Sequence, residues 1–220
     1  MVLRELRITE DGSHTLYVKE LDEPYHSIHG SIQESMHVFI NQGFRLIEHS
    51  PVHILEVGLG TGLNVLLTLA ASQKKGAEII YHAVEKYPLM PEEFEALNFE
   101  QHIPDLPPGI LQALHKGPWE KEFSLTANFH LFKEHADFRS MDPGGKFDLV
   151  YFDAFAPDKQ PELWSEKVFT RVADSMKSGG KLVTYAAKGS VRRTMKACGF
   201  QVEKLPGPPG KREMTRASII

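Results

Sequence analysis

The chain has 220 residues, 41% of them hydrophobic, and a formal net charge of −4 at pH 7. That length can bury one good core and no linker divides it, so we expect a single domain over residues 1–220. The single cysteine excludes an internal disulfide and a cysteine-based zinc site. The histidines, of which His26 and His29 come nearest to a ligand pair, have no metal-binding spacing, so we expect no metal. No segment resembles a signal peptide or a membrane span, and we expect a cytoplasmic protein.

The charge is unevenly distributed along the chain. Residues 181–220 contain nine Lys or Arg and two Glu, a net +7, so the rest of the chain carries −11. A basic segment on an acidic body is a candidate surface for a polyanion. A solvated helix face would explain the charge alone equally well.

The N-terminal residues predict a small extension. Residues 3–9 and 13–20 alternate apolar and polar side chains around Asp11-Gly12, which predicts a β-hairpin. Residues 25–40 then have apolar side chains at helical spacing. We assign residues 1–50 to this extension and residues 51–220 to a Rossmann-like core.

A glycine-rich turn opens the core. A short apolar strand ending at Val57 is followed by Gly58, Gly60 and Gly62 and then by a helical pattern. Such a strand, loop and helix bring backbone N–H groups close to a ligand. A dinucleotide fingerprint needs its third glycine at position 63, which is Leu63, so NAD and FAD are disfavoured.

Polar residues around this turn favour S-adenosylmethionine as the ligand. Glu56 would repel a pyrophosphate but suits an ammonium and a sulfonium, and Asn64 lies at the start of the helix. Residues 78–85 predict a second strand, and Glu85 at its end follows the glycines by roughly 20 residues, where a carboxylate binds both ribose hydroxyls. The adjacent Lys86 is a further cofactor-binding candidate, or a partner for Glu85 in a purely structural pair.

The rest of the chain continues the alternation of strands and helices. The predicted elements are a helix over 88–99, broken helix and loop over 104–119, strands over 123–133 and 147–153, a helix over 161–176, a turn at Gly179-Gly180, a strand over 181–187, a helix over 190–198, a strand over 200–205, a loop over 206–210 and a strand over 213–220. In such sheets ligands bind outside the carboxyl ends of the strands. Asp137 is therefore a candidate acceptor for the adenine amino group, and Asp153 is expected beside the reactive end of the cofactor.

Several motifs resemble one enzyme family. They are E-V-G-L-G-T-G-L-N at 56–64, F-D-A-F-A-P at 152–157, V-R-R at 191–193 and G-K-R-E-M at 210–214. They are similar to the methyltransferase part of the tRNA 5-methylaminomethyl-2-thiouridine enzymes, called MnmC, or MnmD when that part stands alone. The resemblance extends over residues 25–217, and the second and fourth motifs are its most specific elements.

The resemblance implies a class I methyltransferase fold, a mostly parallel seven-stranded sheet with an antiparallel last strand. It implies methyl transfer from S-adenosylmethionine to the aminomethyl nitrogen of 5-aminomethyl-2-thiouridine at the tRNA wobble position. The bifunctional members carry a flavin oxidoreductase domain after this part, whereas this sequence ends at Ile220. We therefore expect no flavin step here, and we expect a monomer.

The chemistry of the implied reaction and the distribution of charge suggest roles for individual residues. We expect Asp153 to take the proton of the amine, and the loop from Ala154 to Pro157 to orient the nitrogen. Phe155 either stacks on the uracil ring or fills the local core. The candidates for tRNA binding, expected at the rim beside Asp153, are Lys188, Arg192, Arg193, Lys211 and Arg212.

Two other functions remain compatible with the sequence. A small-molecule amine N-methyltransferase, or an aminopropyltransferase like spermidine synthase, would share the fold but would not need the basic segment. A non-catalytic RNA-binding protein would keep the basic segment but would not need the acidic set of Glu56, Glu85, Asp137 and Asp153.

Overall fold

The computed structural model describes residues 2–220, and these form two β-sheets with helices packed around them. The smaller sheet has the strands Arg4–Ile8 (β1), His14–Val18 (β2) and Glu23–Pro24 (β3), all antiparallel. Gly12 has a φ of 82° in the β1–β2 turn, and the Asp11 carboxylate accepts a hydrogen bond from the backbone N–H of Ser13. The predicted N-terminal hairpin is therefore confirmed, and a short third strand extends it.

The larger sheet has eight strands in the order β10-β11-β9-β8-β4-β5-β7-β6. Strands β9, β8, β4, β5 and β7 are parallel, and the last strand is antiparallel to β9. This confirms the predicted α/β class I methyltransferase fold. The strands are Val52–Val57 (β4), Ile79–Glu85 (β5), Phe123–Thr126 (β6), Phe129–His135 (β7), Phe147–Phe152 (β8), Met176–Thr184 (β9), Gln201–Pro206 (β10) and Glu213–Ser218 (β11).

The sheet has eight strands and not the predicted seven because residues 123–133 do not form one strand. They form the β6–β7 hairpin, with Thr126 opposite Phe129 at its turn. Only β7 joins the parallel set, and β6 pairs antiparallel with it at the edge of the sheet. Gly179-Gly180, predicted as a turn, lies inside β9.

The helices are Ser31–Ser35 (α1), Leu63–Lys75 (α2), Pro91–Glu95 (α3), Phe99–His102 (α4), Ile110–Lys116 (α5), Glu166–Ser175 (α6) and Gly189–Ala197 (α7). A π-helical segment, Met36–Asn41, continues α1, and a 3-10 helix, Pro161–Trp164, precedes α6. No helix within residues 2–220 is both long and apolar enough to cross a bilayer.

The predicted single helix over residues 88–99 is wrong, because α3 ends at Glu95 and α4 begins at Phe99. Asn98, between them, binds the N-terminal hairpin: its Oδ1 accepts a hydrogen bond from the backbone N–H of His14 (2.8 Å), and its Nδ2 donates to the Gly12 carbonyl (3.0 Å). The interruption attaches the N-terminal sheet to the core.

The core lies on both faces of the parallel strands. Along β4, Ile54 packs into the cluster that contains the α2 leucines, whereas Leu55 packs on the opposite face with Val168 and Phe169 of α6. This double burial explains why β4 is a nearly continuous apolar run. Because these strands are parallel, their carboxyl ends lie at one edge of the sheet, and residues of β3 lie across that edge.

Candidate active site

A cleft of about 420 Å³ opens at the carboxyl ends of β4, β5, β7 and β8. Its walls are the glycine loop, the residues that follow β5, β7 and β8, and residues 23–28 of the N-terminal extension. The volume is within the range of about 300–1,000 Å³ that small-ligand sites occupy. Within residues 2–220, no three His, Cys, Asp or Glu side chains are grouped so that they could hold a metal ion.

The glycine loop passes too close to its neighbours to carry side chains. A Cβ on Gly58, where φ is +93°, would lie 2.6 Å from the carbonyl oxygen of Asp153. A Cβ on Gly60, where φ is +51°, would lie 2.9 Å from the ring of Tyr25. Gly62 is the N-cap residue of α2 and is not part of the cleft wall. A larger residue at Gly58 or Gly60 would therefore clash with neighbouring residues at the cleft wall.

Glu85 lies at the end of β5 and lines the cleft, as predicted. Its Oε2 accepts a hydrogen bond from the backbone N–H of Gly60 (2.9 Å), and its Oε1 accepts one from Tyr87 (2.7 Å). These two bonds hold the carboxylate beside the glycine loop. Each oxygen keeps a lone pair that a ribose hydroxyl could use.

Asp137 also lines the cleft, but neighbouring cations already hold it. Arg139 donates from Nε to Oδ1 (2.9 Å) and from Nη2 to Oδ2 (2.5 Å), and the Lys86 Nζ lies 3.0 Å from Oδ2. The hydrogen bonds from Arg139 hold the pKa of Asp137 well below its usual range. Lys86 thus pairs with Asp137 and not with Glu85, and an adenine amino group would share oxygens that Arg139 also uses.

Asp153 follows β8 and faces the cleft beside the glycine loop. Its Oδ2 accepts a hydrogen bond from the Asn64 Nδ2 (2.8 Å). Burial raises the pKa of Asp153 to about 7, and the nearby Glu34 carboxylate adds to the rise. At neutral pH this carboxyl group therefore populates both protonation states, which is the property that a general base or acid needs.

Glu56 does not contact the ligand cleft, which corrects the prediction for this residue. Its side chain is fully buried, and its Oε1 accepts a hydrogen bond from the Asn64 Nδ2 (2.9 Å). Burial raises the pKa of Glu56 well above its ordinary value. Asn64, itself buried, donates to both Glu56 and Asp153, so the pair orients Asp153 from behind the cleft wall.

The loop after Asp153 contributes Phe155 to the cleft but not Pro157. The Phe155 ring packs edge-on against Tyr25, with 4.9 Å between ring centroids. The Tyr25 hydroxyl accepts a hydrogen bond from the Arg4 Nε (2.9 Å), and a second Arg4 nitrogen binds Glu93 at 2.9 Å. Phe155 is thus placed at the cleft by an aromatic residue of the N-terminal extension.

The sequence-based prediction missed the cleft residues that the N-terminal extension supplies. Glu23, Tyr25 and Glu34 line the cleft together with Tyr185, which directly follows β9. No local pattern marked them, because their role depends on how the small sheet docks on the large one. Lys211, a predicted substrate residue, also lines the cleft, where its Nζ pairs with Glu34 and lies 4.0 Å from the centroid of the Tyr185 ring.

Arg192 is buried, and its predicted role in RNA binding is wrong. It is 6% exposed and donates to Glu213 Oε2 (2.7 Å), Thr215 Oγ1 (3.0 Å) and the Met214 carbonyl (3.2 Å). Its function is to fasten α7 to β11.

The other predicted substrate residues differ in whether they form a salt bridge. Arg193 and Arg212 are exposed and have no salt bridge within the described part of the chain. Lys188 is exposed and pairs with Asp158.

The doubly wound sheet, the glycine loop and the acidic residues at the ends of β5 and β8 are the features expected of the class I methyltransferase fold. A family model described as S-adenosyl-L-methionine-dependent methyltransferase matches residues 117–219. Two curated relatives are each 32% identical to this chain. The match covers 96% of the chain for the relative from Cupriavidus metallidurans and 94% for the one from Marinomonas sp.. Both are named tRNA 5-methylaminomethyl-2-thiouridine biosynthesis bifunctional protein MnmC.

Solved structures agree with these matches. MnmC2 from Aquifex aeolicus superposes with a TM-score of 0.81 at 28% identity, over all of this chain and 71% of that one. Spermidine synthase from Thermotoga maritima, at 10% identity and a TM-score of 0.62 over 98% of this chain and 68% of that one, shares the fold. The chain belongs to the family of the MnmC methyltransferase domain. It spans about a third of the length of the curated relatives it matches.

Proposed function

We propose that this protein transfers a methyl group from S-adenosylmethionine to the aminomethyl nitrogen of 5-aminomethyl-2-thiouridine at the tRNA wobble position. The names of its curated relatives support the substrate class. The observation that carries the chemistry is the placement of Asp153, which faces the cleft beside the glycine loop and is oriented by Asn64. A carboxyl group with a pKa of about 7 suits the removal of a proton from an amine at neutral pH.

The residues of the cleft fit the cofactor. The glycine loop at Gly58 and Gly60 would receive the nucleoside, Glu85 would accept hydrogen bonds from the ribose hydroxyls, and Asp137 with Arg139 would border the adenine. When bound, the cofactor supplies a methyl group on a positively charged sulfur, a leaving group that needs no further activation.

The chain's own residues must then prepare the amine. Free amines are largely protonated at neutral pH and cannot attack in that state. Asp153 accepts the proton of the amine, and the loop that contains Phe155 holds the uracil ring beside Asp153. Residues of the N-terminal extension form one wall of the cleft and so limit the access of water. Beyond this, the protein has to align the two reactants.

An exposed basic surface completes the proposal. Arg193 of α7 and Arg212 before β11 are both exposed, and they lie on two segments that Arg192 joins through Glu213. Phosphate contacts from exposed arginines supply affinity without reading sequence. A small-amine substrate would need no such surface, and the likeness to spermidine synthase shows the fold alone.

The experiment that tests the proposal is mass spectrometry of tRNA nucleosides after incubation with isotope-labelled S-adenosylmethionine. The substrate is tRNA that carries 5-aminomethyl-2-thiouridine, and the same tRNA with an unmodified uridine is the control. We expect the label in the methylaminomethyl nucleoside of the first tRNA only. Absence of label from both tRNAs would refute the proposal and favour a small-amine substrate.

A further inference from the structure

Strand β3 brings a carboxylate into the cleft from outside the large sheet. Glu23 lies opposite Val18 of β2, and its Oε1 accepts a hydrogen bond from the backbone N–H of Ala156 (3.1 Å). Ala156 is three residues beyond Asp153, in the loop that borders the reactive end of the cleft. Glu23 and Asp153 line the same cleft, and a loop of three residues connects Asp153 to the backbone N–H that Glu23 binds.

The second carboxylate oxygen of Glu23 is left without a partner. Oε2 has almost no accessible surface, and within residues 2–220 no group donates a hydrogen bond to it. An unpaired buried carboxylate oxygen is costly, and proteins rarely keep one without a reason. Burial raises the pKa of Glu23, which is the direction expected of a carboxylate that lacks a donor.

The charges around Glu23 do not supply that donor. Lys159 and Lys211 lie near enough to lower the pKa of Glu23, and Asp158 opposes them, but neither lysine forms a salt bridge with Glu23. Lys211 instead pairs with Glu34, and Lys159 approaches Asp22 at 3.9 Å. A ligand that brings N–H donors and positive charge would complete the site.

We propose that Glu23, whose side chain lines the cleft, turns its unpaired Oε2 toward the amino group of the substrate and so selects nucleosides that carry an aminomethyl group. This inference rests on the proposed function. The two carboxylates then divide the work: Glu23 holds the ammonium before reaction, and Asp153, whose Oδ2 is already bound to Asn64, receives the proton. The N-terminal extension thus contributes directly to substrate recognition.

The test compares the affinity of two tRNAs, one with 5-aminomethyl-2-thiouridine and one with 2-thiouridine, in the presence of S-adenosylhomocysteine. Because a charge-assisted hydrogen bond in a buried site is at stake, we expect wild-type protein to prefer the amine by roughly tenfold or more. Glu23→Gln should remove most of this preference and leave the affinity for the 2-thiouridine tRNA unchanged. Glu23→Asp, which keeps the charge on a shorter side chain, should retain part of the wild-type preference. This comparison also tests the role of Glu23 if the Gln variant does not fold.

The matched control is Glu20→Gln, an exposed carboxylate three residues earlier that does not line the cleft. It should bind both tRNAs like the wild type. An unchanged preference in Glu23→Gln, or an equal loss of affinity for both tRNAs, would overturn the role of Glu23. If wild-type protein methylates the aminomethyl tRNA in the nucleoside assay, either result leaves the proposed function standing, whereas absence of that methylation refutes both.

Discussion

Replacing Asp153 with asparagine isolates the chemical role of one oxygen. The substitution keeps the shape of the side chain, and the new amide oxygen can still accept the hydrogen bond that Asn64 Nδ2 now donates at 2.8 Å. The burial and the packing against Gly58 should therefore change little. What is lost is the ability to take a proton.

The size of the effect follows from the chemistry of the site. Positioned general bases contribute about 10²–10⁴ in rate, so the rate of methyl transfer should fall by that factor. Cofactor affinity should change much less, because the ribose and adenine candidates Glu85 and Asp137 are untouched. Since the pKa of Asp153 is about 7, the ionised fraction of this carboxyl group should rise steeply between pH 6 and pH 8.

The assay is single turnover at saturating S-adenosylmethionine, over a range of about pH 6 to pH 9. The wild-type rate should rise with pH through an inflection near 7, and Asp153→Asn should lack that inflection. Ionisation of the substrate amine raises the rate with pH in both proteins, so the difference between the profiles is diagnostic. A variant with nearly the wild-type rate, or with the same inflection, would show that Asp153 only positions other groups.

Three further predictions concern the cofactor, the nucleic acid and stability. Glu85→Ala should weaken S-adenosylmethionine binding by about 1–3 kcal/mol, roughly 5- to 150-fold, because ribose hydroxyls lose their acceptor; calorimetry that finds no change would remove this residue from the site. The double variant Arg193→Ala with Arg212→Ala should make the log–log salt dependence of tRNA affinity shallower by about one to two units. The control Lys121→Ala, near the β6 edge, should keep the wild-type slope. An equal slope in the wild type, the double variant and the control would contradict an RNA surface here. The pKa of Glu56 is higher in the folded than in the unfolded protein, so the stability of the wild type falls as pH rises above the pKa of the unfolded state. Glu56→Gln removes this titration and should therefore gain stability relative to the wild type between pH 5 and pH 8. Denaturation at both pH values checks this, and a constant difference would mean that Glu56 titrates normally.

The local sequence was enough to predict the centre of the fold. The strand before Gly58, the loop and helix α2 depend on contacts within about twenty residues, so periodicity and glycine spacing identify them. The positions of Glu85 and Asp153 could also be predicted, because the carboxyl ends of parallel strands meet at one edge whatever the details of packing.

Only the tertiary structure decided which side chains face the ligand. Glu56 precedes the glycine loop but points into the core, since alternate residues of β4 face opposite sides of the sheet. Arg192 and Arg193 are neighbours in sequence, yet one is buried against Glu213 and the other is exposed, because successive residues of a helix point about 100° apart. Composition counts both as basic and cannot tell them apart.

The largest contribution that the sequence did not reveal comes from the N-terminal extension. Glu23 and Tyr25 reach the cleft because the small sheet docks across the carboxyl ends of the strands, through contacts such as Arg4 with Glu93 and Asn98 with Gly12. These pairs are more than 80 residues apart in sequence. Hydrophobic periodicity reports only which face of an element is buried, so a site built between two sheets becomes visible only once the elements are assembled.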